Sequence, residues 1–247
     1  MDHLLYIAMS GAKENMNALA VRANNLANAN TNGFKADLEQ ARSMQAFGDG
    51  LPSRVFALTE IPSQNFDAGE LKITENELDV AIQGDGWFAV QDADGNEAYT
   101  RGGNLQISVE GFLQTSAGRN VLSDGGPVQL PVPLAKIDIA ADGSIQALPV
   151  GAPATAIAEV GQIKLVKPEN QDMVKGNDGL FRRKDGAIAE VDPTVSLLSG
   201  ALEGSNVNAV GEMTYLISLQ KQFELQVKMM KTAEEMDRQQ NQLLRII

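Results

Sequence analysis

The chain has no cysteine, which removes disulfides, thiolate catalysis and every cysteine-based zinc site at once. It has one histidine, His3. Serine–histidine and cysteine–histidine nucleophile systems need a buried, oriented imidazole, and a residue this near a chain end is poorly placed to supply one. Basic residues are scarce too. Against 32 Asp and Glu stand 20 Lys and Arg, a formal net charge of −12, the reverse of what binding to a phosphate backbone requires. No apolar run reaches the length of a membrane span. The longest early one, Leu4 to Met9, lacks a basic leader and is followed by Ser10, Gly11 and Lys13, short of a secretory signal. If the protein works outside the cytoplasm, it is expected to leave without a cleaved signal peptide.

What the sequence has instead is order at its two ends. Leu5, Met9, Ala12, Met16, Leu19, Ala23 and Leu26 recur at three- and four-residue spacings, a heptad seam that keeps facing a partner only along another helix. Near the other end Met213, Leu216, Phe223, Val227 and Met230 form a similar stripe, interrupted by Gln220 and Glu234. These residues are the candidate assembly interface. The first helix is expected to run from a cap at Asp2 to about Asn28, and the last from behind Asn206 and Asn208 to about Leu244. Residues 1–34 and 207–247 are each neutral, so the excess charge falls on residues 35–206, where 25 acids face 13 bases. Neutral ends can pack against copies of themselves, whereas an acidic middle stays solvated. Leu243, Leu244, Ile246 and Ile247 close the chain, an apolar end expected to be buried in an assembly.

The first helix ends in Asn24, Asn25, Asn28, Asn30 and Asn32, then Gly33. Asparagine tolerates left-handed backbone and Asn-Gly marks a turn; the apolar Leu26, Ala27 and Phe34 beside it imply that the turn is packed. Lys35 to Gln45 reads as a short helix, Gly48, Gly50, Pro52 and Pro62 break any longer one, and Arg54 to Leu58 reads as a strand. From Leu78 to about Leu202 the pattern is β. Leu78–Ile82, Leu105–Val109 and Val128–Val132 alternate. Turn pairs separate such runs at Asp94-Gly95, Glu110-Gly111, Asp124-Gly125, Asp142-Gly143, Asp178-Gly179 and Asp185-Gly186, the hairpin chemistry of an antiparallel sandwich or barrel. Pro149 to Pro153 reads as a loop.

The fold class is therefore α+β: long N- and C-terminal helices pairing as a coiled-coil-like end, with a central antiparallel all-β domain. Residues 1–34 and 205–247 form the helical part, 35–75 an extended arm and 76–204 the β domain.

No stretch in the β domain asks for catalysis, a metal or a cofactor. Asp92 to Asn96 looks faintly like a calcium loop, yet Glu97 and Gly103 stand where that pattern needs glycine and glutamate; it reads as a hairpin turn. Gly84-Asp85-Gly86 lacks the Lys-Ser/Thr of a phosphate loop. Trp87 and Phe88, in strand register, read as core. Paired carboxylates can cleave glycans, but among so many acids proximity of two says little, and the chain is not expected to be an enzyme.

Three stretches resemble one family. Residues Ala23 to Lys35 (ANNLANANTNGFK) are similar to the N-terminal signature of the bacterial flagellar rod and hook proteins, with Asn24, Asn25, Asn28, Thr31, Gly33 and Phe34 as the signature turn. Leu78 to Phe88 with Tyr99-Thr100-Arg101 resembles the family's central β segment, and Glu203 to Asn208, leading into Glu212-Met213 and Gln222-Phe223-Glu224, its C-terminal signature. The opening dozen residues and the modest length are most similar to the proximal-rod branch; the distal-rod branch is the alternative, and the hook branch carries an outer domain for which this chain has no room. The resemblance implies a structural subunit in the basal body. Its partners would be copies of itself, neighbouring rod proteins and the flagellar export apparatus, with no cofactor. A helix-dimerised β-domain binding module is the competing reading. On the first view residues 75–204 fold alone, and Gly33→Val impairs assembly without changing the melting of the β domain.

Overall fold

The computed structural model describes residues 2–39, 41–45, 55–59, 63–151, 153 and 158–244. The chain divides into two compact units, one made of residues 1–29, 36–65 and 207–247, the other of 30–35 and 66–206.

The first unit holds two helices, α1 (Asp2–Ala27) and α2 (Ala209–Leu244). Asn208 caps α2, its Oδ1 accepting from Gly211 N at 3.1 Å, which satisfies one of the orphan donors of the first turn. Strands β1 (Asp37–Leu38) and β4 (Ser63–Gln64) pair antiparallel, as do β2 (Ala41–Gln45) and β3 (Val55–Thr59). The short helix expected over 35–45 is therefore absent. Its backbone donors are claimed by the β1–β4 and β2–β3 ladders, non-local pairings that local propensity cannot register. The breakers at 48–52 and Pro62 lie outside the described residues.

Among the described residues every strand pair of the second unit is antiparallel. Strands β5 (Leu71–Ile73), β6 (Val80–Gln83), β7 (Trp87–Gln91), β8 (Glu97–Thr100), β9 (Leu105–Ile107), β10 (Leu113–Thr115), β11 (Leu122–Ser123) and β12 (Gly126–Pro127) come first. There follow β13 (Leu134–Ile139), β14 (Ser144–Pro149), β15 (Ala158–Gln162), β16 (Leu165–Val166), β17 (Met173–Lys175), β18 (Phe181–Arg183), β19 (Ser196–Ser199) and β20 (Ala201–Glu203). The largest sheet has the order β16-β7-β8-β18-β17, and β13-β14-β15 form another. Strand β7 divides the core by its two-residue period. Phe88 and Val90 enter one apolar cluster with Val80, Leu113 and Ile145, while Trp87 and Ala89 enter a second with Tyr99, Met173 and Phe181.

The alternation expected over Leu78–Ile82 is not what folds. Asp79 and Ala81 are as buried as Val80 and Ile82, because β6 is covered on both faces: Asn104 Nδ2 donates to Asp79 Oδ1 and Gly200 N to Asp79 O. Val109 is fully exposed. It sits in a turn closed by Gly111 N donating to Ser108 O, and the alternation of that stretch stops at Ile107. Asp92 to Asn96 is the β7–β8 hairpin turn, with Asp92 Oδ1 accepting from the N–H groups of Asp94 and Asn96. A cut at residue 75 would remove β5, the partner of β20, so the self-contained β unit starts earlier than the sequence pattern marks it.

Candidate assembly interface

Helices α1 and α2 lie against each other. Arg22 meets Glu212 and Tyr215, while Gly11 approaches Gln226; positions falling along α1 match positions rising along α2, so the pair is antiparallel. On α1 the buried positions are small or polar, Ala8, Ala12 and Asn25. A Cβ at Gly11 would lie 2.9 Å from the Gln226 amide nitrogen, a spacing that the missing side chain permits. On α2 the covered positions include Glu212, Leu216, Leu219, Phe223, Gln226, Met230 and Ala233, a line at heptad spacing, with Val227 half-buried beside it.

Of the residues singled out on α1, Ala12 is buried and Leu19 and Leu26 are half-buried, whereas Leu5, Met9, Met16 and Ala23 are exposed, Met16 by 60%. On α2, Leu216, Phe223, Val227 and Met230 are half-buried and Met213 is exposed. The outward faces also carry Tyr6, Val210, Tyr215, Ile217, Leu225, Met229 and Met236. The small residues of α1 are thus the buried ones, with Gly11 against α2, and much of its larger apolar stripe is left uncovered. The side chains of Leu243, Leu244, Ile246 and Ile247 lie outside the described residues, as does the Asp2 carboxylate.

Polar groups fix the end of α1. Asn25, fully buried, donates from Nδ2 to Asp37 O and accepts at Oδ1 from Asp37 N, both at 2.9 Å. Asn28 N donates to the carbonyls of Asn24 and Asn25, and Asn28 Nδ2 to Asn24 O. Nearby, Glu39 has both carboxylate oxygens enclosed without a hydrogen-bond donor among the described residues. Burial pushes its pKa up; the Glu14 carboxylate pushes the same way and Arg22, already paired with Glu212 at 2.9 Å, pulls back. A raised pKa means that the fold prefers the protonated acid, so its stabilising contribution is complete below the unfolded carboxylate range and is lost as pH rises through the folded value. Glu39→Gln should therefore melt higher than the parent at neutral pH, with the gap closing on acidification. Thermal unfolding of both chains across the acid range checks this; parallel curves would refute it.

The signature turn continues in the second unit. Gly33, at φ 70°, donates its N–H to Glu203 O at 2.8 Å, Phe34 N donates to Thr31 O, and Asn206 N donates to Phe34 O. A Cβ at Gly33 would stand 2.3 Å from the main chain of Arg101 and Gly102. The Lys175 ammonium lies 3.9 Å from the centre of the Phe34 ring and donates to Lys35 O. Lys35 then reaches inward, donating to Glu203 Oε1 at 2.7 Å and to Asp67 O. Glu203 Oε1 also accepts from Gly69 N, and Arg101 Nη1 stands 3.2 Å from Oε2. That approach makes an ion pair without the alignment of a hydrogen bond; Arg101 Nη2 donates instead to Gly84 O, and its guanidinium lies over Trp87. Lys35, Arg101 and Glu203 are all at least 95% buried. Desolvation lowers the pKa of Lys35, opposed by its bond to Glu203, and lowers that of Arg101.

Sequence reasoning missed this cluster, and a signal for it existed. Lys35 is the lone charge of Ala23–Lys35 and Glu203 that of Glu203–Asn208, and Arg101 follows Tyr99-Thr100 in the second family-like stretch. A single charge in a short neutral segment between apolar residues invites burial, and burial demands a partner.

Comparison with known proteins accounts for all three stretches. Residues 5–35 match the family model described as flagella basal body rod protein, residues 81–147 that of the flagellar hook protein FlgE/F/G D1 domain, and residues 198–243 that of the flagellar basal body rod FlgEFG protein C-terminal. The chain is 43% identical over 250 residues to the flagellar basal-body rod protein FlgF of Escherichia coli (strain K12), covering 99% of each chain. It is 43% identical to FlgF of Salmonella typhimurium (strain LT2), again covering 99% of each. To the flagellar basal-body rod protein FlgG of Agrobacterium fabrum (strain C58) it is 33% identical, covering 94% of this chain and 95% of the relative. With three family models matched in order and full-length relatives at this identity, the chain belongs to the family of flagellar basal-body rod proteins.

Proposed function

We propose that the chain is a structural subunit of the proximal rod, of the FlgF kind, which builds the axial shaft by packing the outward faces of α1 and α2 against copies of itself and against neighbouring rod proteins. The observation that carries this reading is the exposed apolar stripe. Leu5, Met9 and Met16 on α1, with Met213, Ile217, Leu225, Met229 and Met236 on α2, lie uncovered on a two-helix unit. A monomeric protein rarely leaves so extended an apolar surface in water without a partner for it. Further helices lying along these stripes would make a coiled-coil-like layer, and the acidic β unit would remain solvated. The FlgG relative keeps distal-rod membership as a second reading. The basal body is the expected location, and delivery there would use the flagellar export apparatus. No helix of the described residues is long and apolar enough to cross a membrane.

Met16→Asp tests the proposal. An exposed side chain contributes little to the isolated fold, so the melting temperature should stay within a few degrees of the parent. In a buried interface the same carboxylate loses about 1.5 to 3 kcal/mol of apolar contribution and adds its desolvation cost. Rods or filaments seen by electron microscopy with the parent should be missing with the variant, and cells carrying it should not swim. Normal assembly by Met16→Asp would overturn the packing scheme. Asn17→Asp, also on an exposed position, serves as the control.

A further inference from the structure

We propose that Asn32 is a conformation-gated deamidation site, closed while the signature turn is clamped and open whenever the turn is released. Asn32-Gly33 is the chain's single Asn-Gly step, and glycine has no side chain to hinder attack by its own nitrogen. In the reaction the Gly33 main-chain nitrogen gives up its proton to a solvent base and forms a bond to the Asn32 side-chain carbonyl carbon. The bond from that carbon to Nδ2 breaks, ammonia leaves, and a five-membered succinimide results. Water then opens the ring at either carbonyl, leaving aspartate or isoaspartate. The step requires water and base alone.

The fold withholds the nucleophile. Gly33 N–H is spent on Glu203 O at 2.8 Å, its φ is fixed at 70°, and the following residue is held by Asn206 N donating to Phe34 O. Lys35, two positions on, is anchored to the Glu203 carboxylate at 2.7 Å. For Gly33 N to attack the Asn32 side chain its bond to Glu203 O must break, and the contacts on either side hold the turn against that opening, so the rate scales with the open fraction. Isoaspartate would be irreversible. It routes the main chain through one extra carbon and adds a charge at a turn where even a Cβ on Gly33 would meet the Arg101 main chain at 2.3 Å. A chain that lingers with its turn open is thereby marked and kept out of assembly, a consequence that rests on the assembly reading above.

Peptide mass spectrometry of the full chain, aged in mildly alkaline buffer, reads the replacement of amide by acid at Asn32 and separates aspartate from isoaspartate. Conversion is expected to be at least about tenfold slower in native buffer than in concentrated urea, the factor that about 1.4 kcal/mol of closing free energy supplies. Lys35→Met, which loosens the clamp, should convert at an intermediate rate. Asn28 and Asn30, followed by Ala29 and Thr31, should lag behind Asn32 in urea. Equal rates for Asn32 in native buffer and in urea would overturn the gating, and no conversion in urea would overturn the site. These readouts do not depend on assembly. Chains aged in urea, refolded and separated by modification state test the consequence: assembly by the isoaspartate form would overturn the mark while leaving the gating intact.

Discussion

Glu203→Gln is expected to cost the second unit about 3 to 5 kcal/mol, the usual penalty for breaking a buried ion pair from one side. The shape of the side chain is kept, and its carbonyl oxygen can still accept from Gly69 N and Lys35 Nζ, so packing contributes little to the loss. What disappears is the negative charge that Lys35 and Arg101 share, and both cations are buried; Asp67 still acts on Lys35 and Asp85 on Arg101. For a unit of this size the loss corresponds to a fall on the order of 10 °C in melting temperature. The pH dependence separates the two cations. Arginine cannot shed its proton, whereas lysine can. Without Glu203, Lys35 is pushed further in the direction that burial already drives it, and a depressed folded pKa gives stability that returns as pH rises toward the unfolded lysine value. The variant should therefore recover part of its deficit in alkaline buffer. Lys35→Met placed on top should restore part of it at neutral pH, because the double change leaves one buried cation instead of two without the Glu203 charge. Thermal unfolding of the full chain followed by circular dichroism in the strand region reads both effects. A drop that is the same at every pH and unaffected by Lys35→Met would mean that Glu203 acts through packing and that the charge cluster is incidental.

How much of this was legible in the sequence depended on how local the cause was. The extents of α1 and α2 followed from helix periodicity and from the asparagines at their ends, and Trp87 and Phe88 were legible as core residues of a strand. Asp-Gly steps gave hairpins, as between β7 and β8, because the turn conformation is decided within four residues, whereas Asp185-Gly186 turns the chain without a hairpin, since the next strand, β19, pairs with β6. The failures were non-local. Nothing within residues 35–45 reveals that the partner of β2 lies at 55–59, and nothing in Leu78–Ile82 reveals that its polar-looking face is roofed by Asn104 and Gly200. The heptad seam on α1 was visible, but apolar spacing alone cannot tell which of two adjacent stripes faces the second helix. Gly11 marks the contact with α2 and the small residues Ala8 and Ala12 beside it are buried, whereas Leu5, Met9 and Met16 are exposed. Lys35, Arg101 and Glu203 are separated by dozens of residues, and pattern has no reach across that distance.

Gly33→Val should damage both the second unit and its assembly, against the expectation from sequence that the β domain would melt unchanged. Gly33 belongs to the second unit, and an added Cβ would stand 2.3 Å from Arg101 C and Gly102 N and 2.6 Å from Arg101 O. These are main-chain atoms. They cannot swing aside as a side chain does, so the turn has to move, taking with it the Gly33 N–H bond to Glu203 O and the segment that seats Lys35. The positive φ adds about 1 to 3 kcal/mol for a non-glycine residue, and overpacking of a close contact typically adds about 1 to 3 kcal/mol. Asparagine separates the two causes. It tolerates left-handed backbone better than valine does but carries the same Cβ. If φ alone demanded glycine, Gly33→Asn would melt close to the parent and assemble. Because the Cβ itself collides with the backbone of Arg101 and Gly102, Gly33→Asn is expected to fall with Gly33→Val, in thermal unfolding of the full chain and in electron microscopy of rods alike. A Gly33→Asn chain that melts and assembles like the parent would show that the turn needs a conformation and not the close approach.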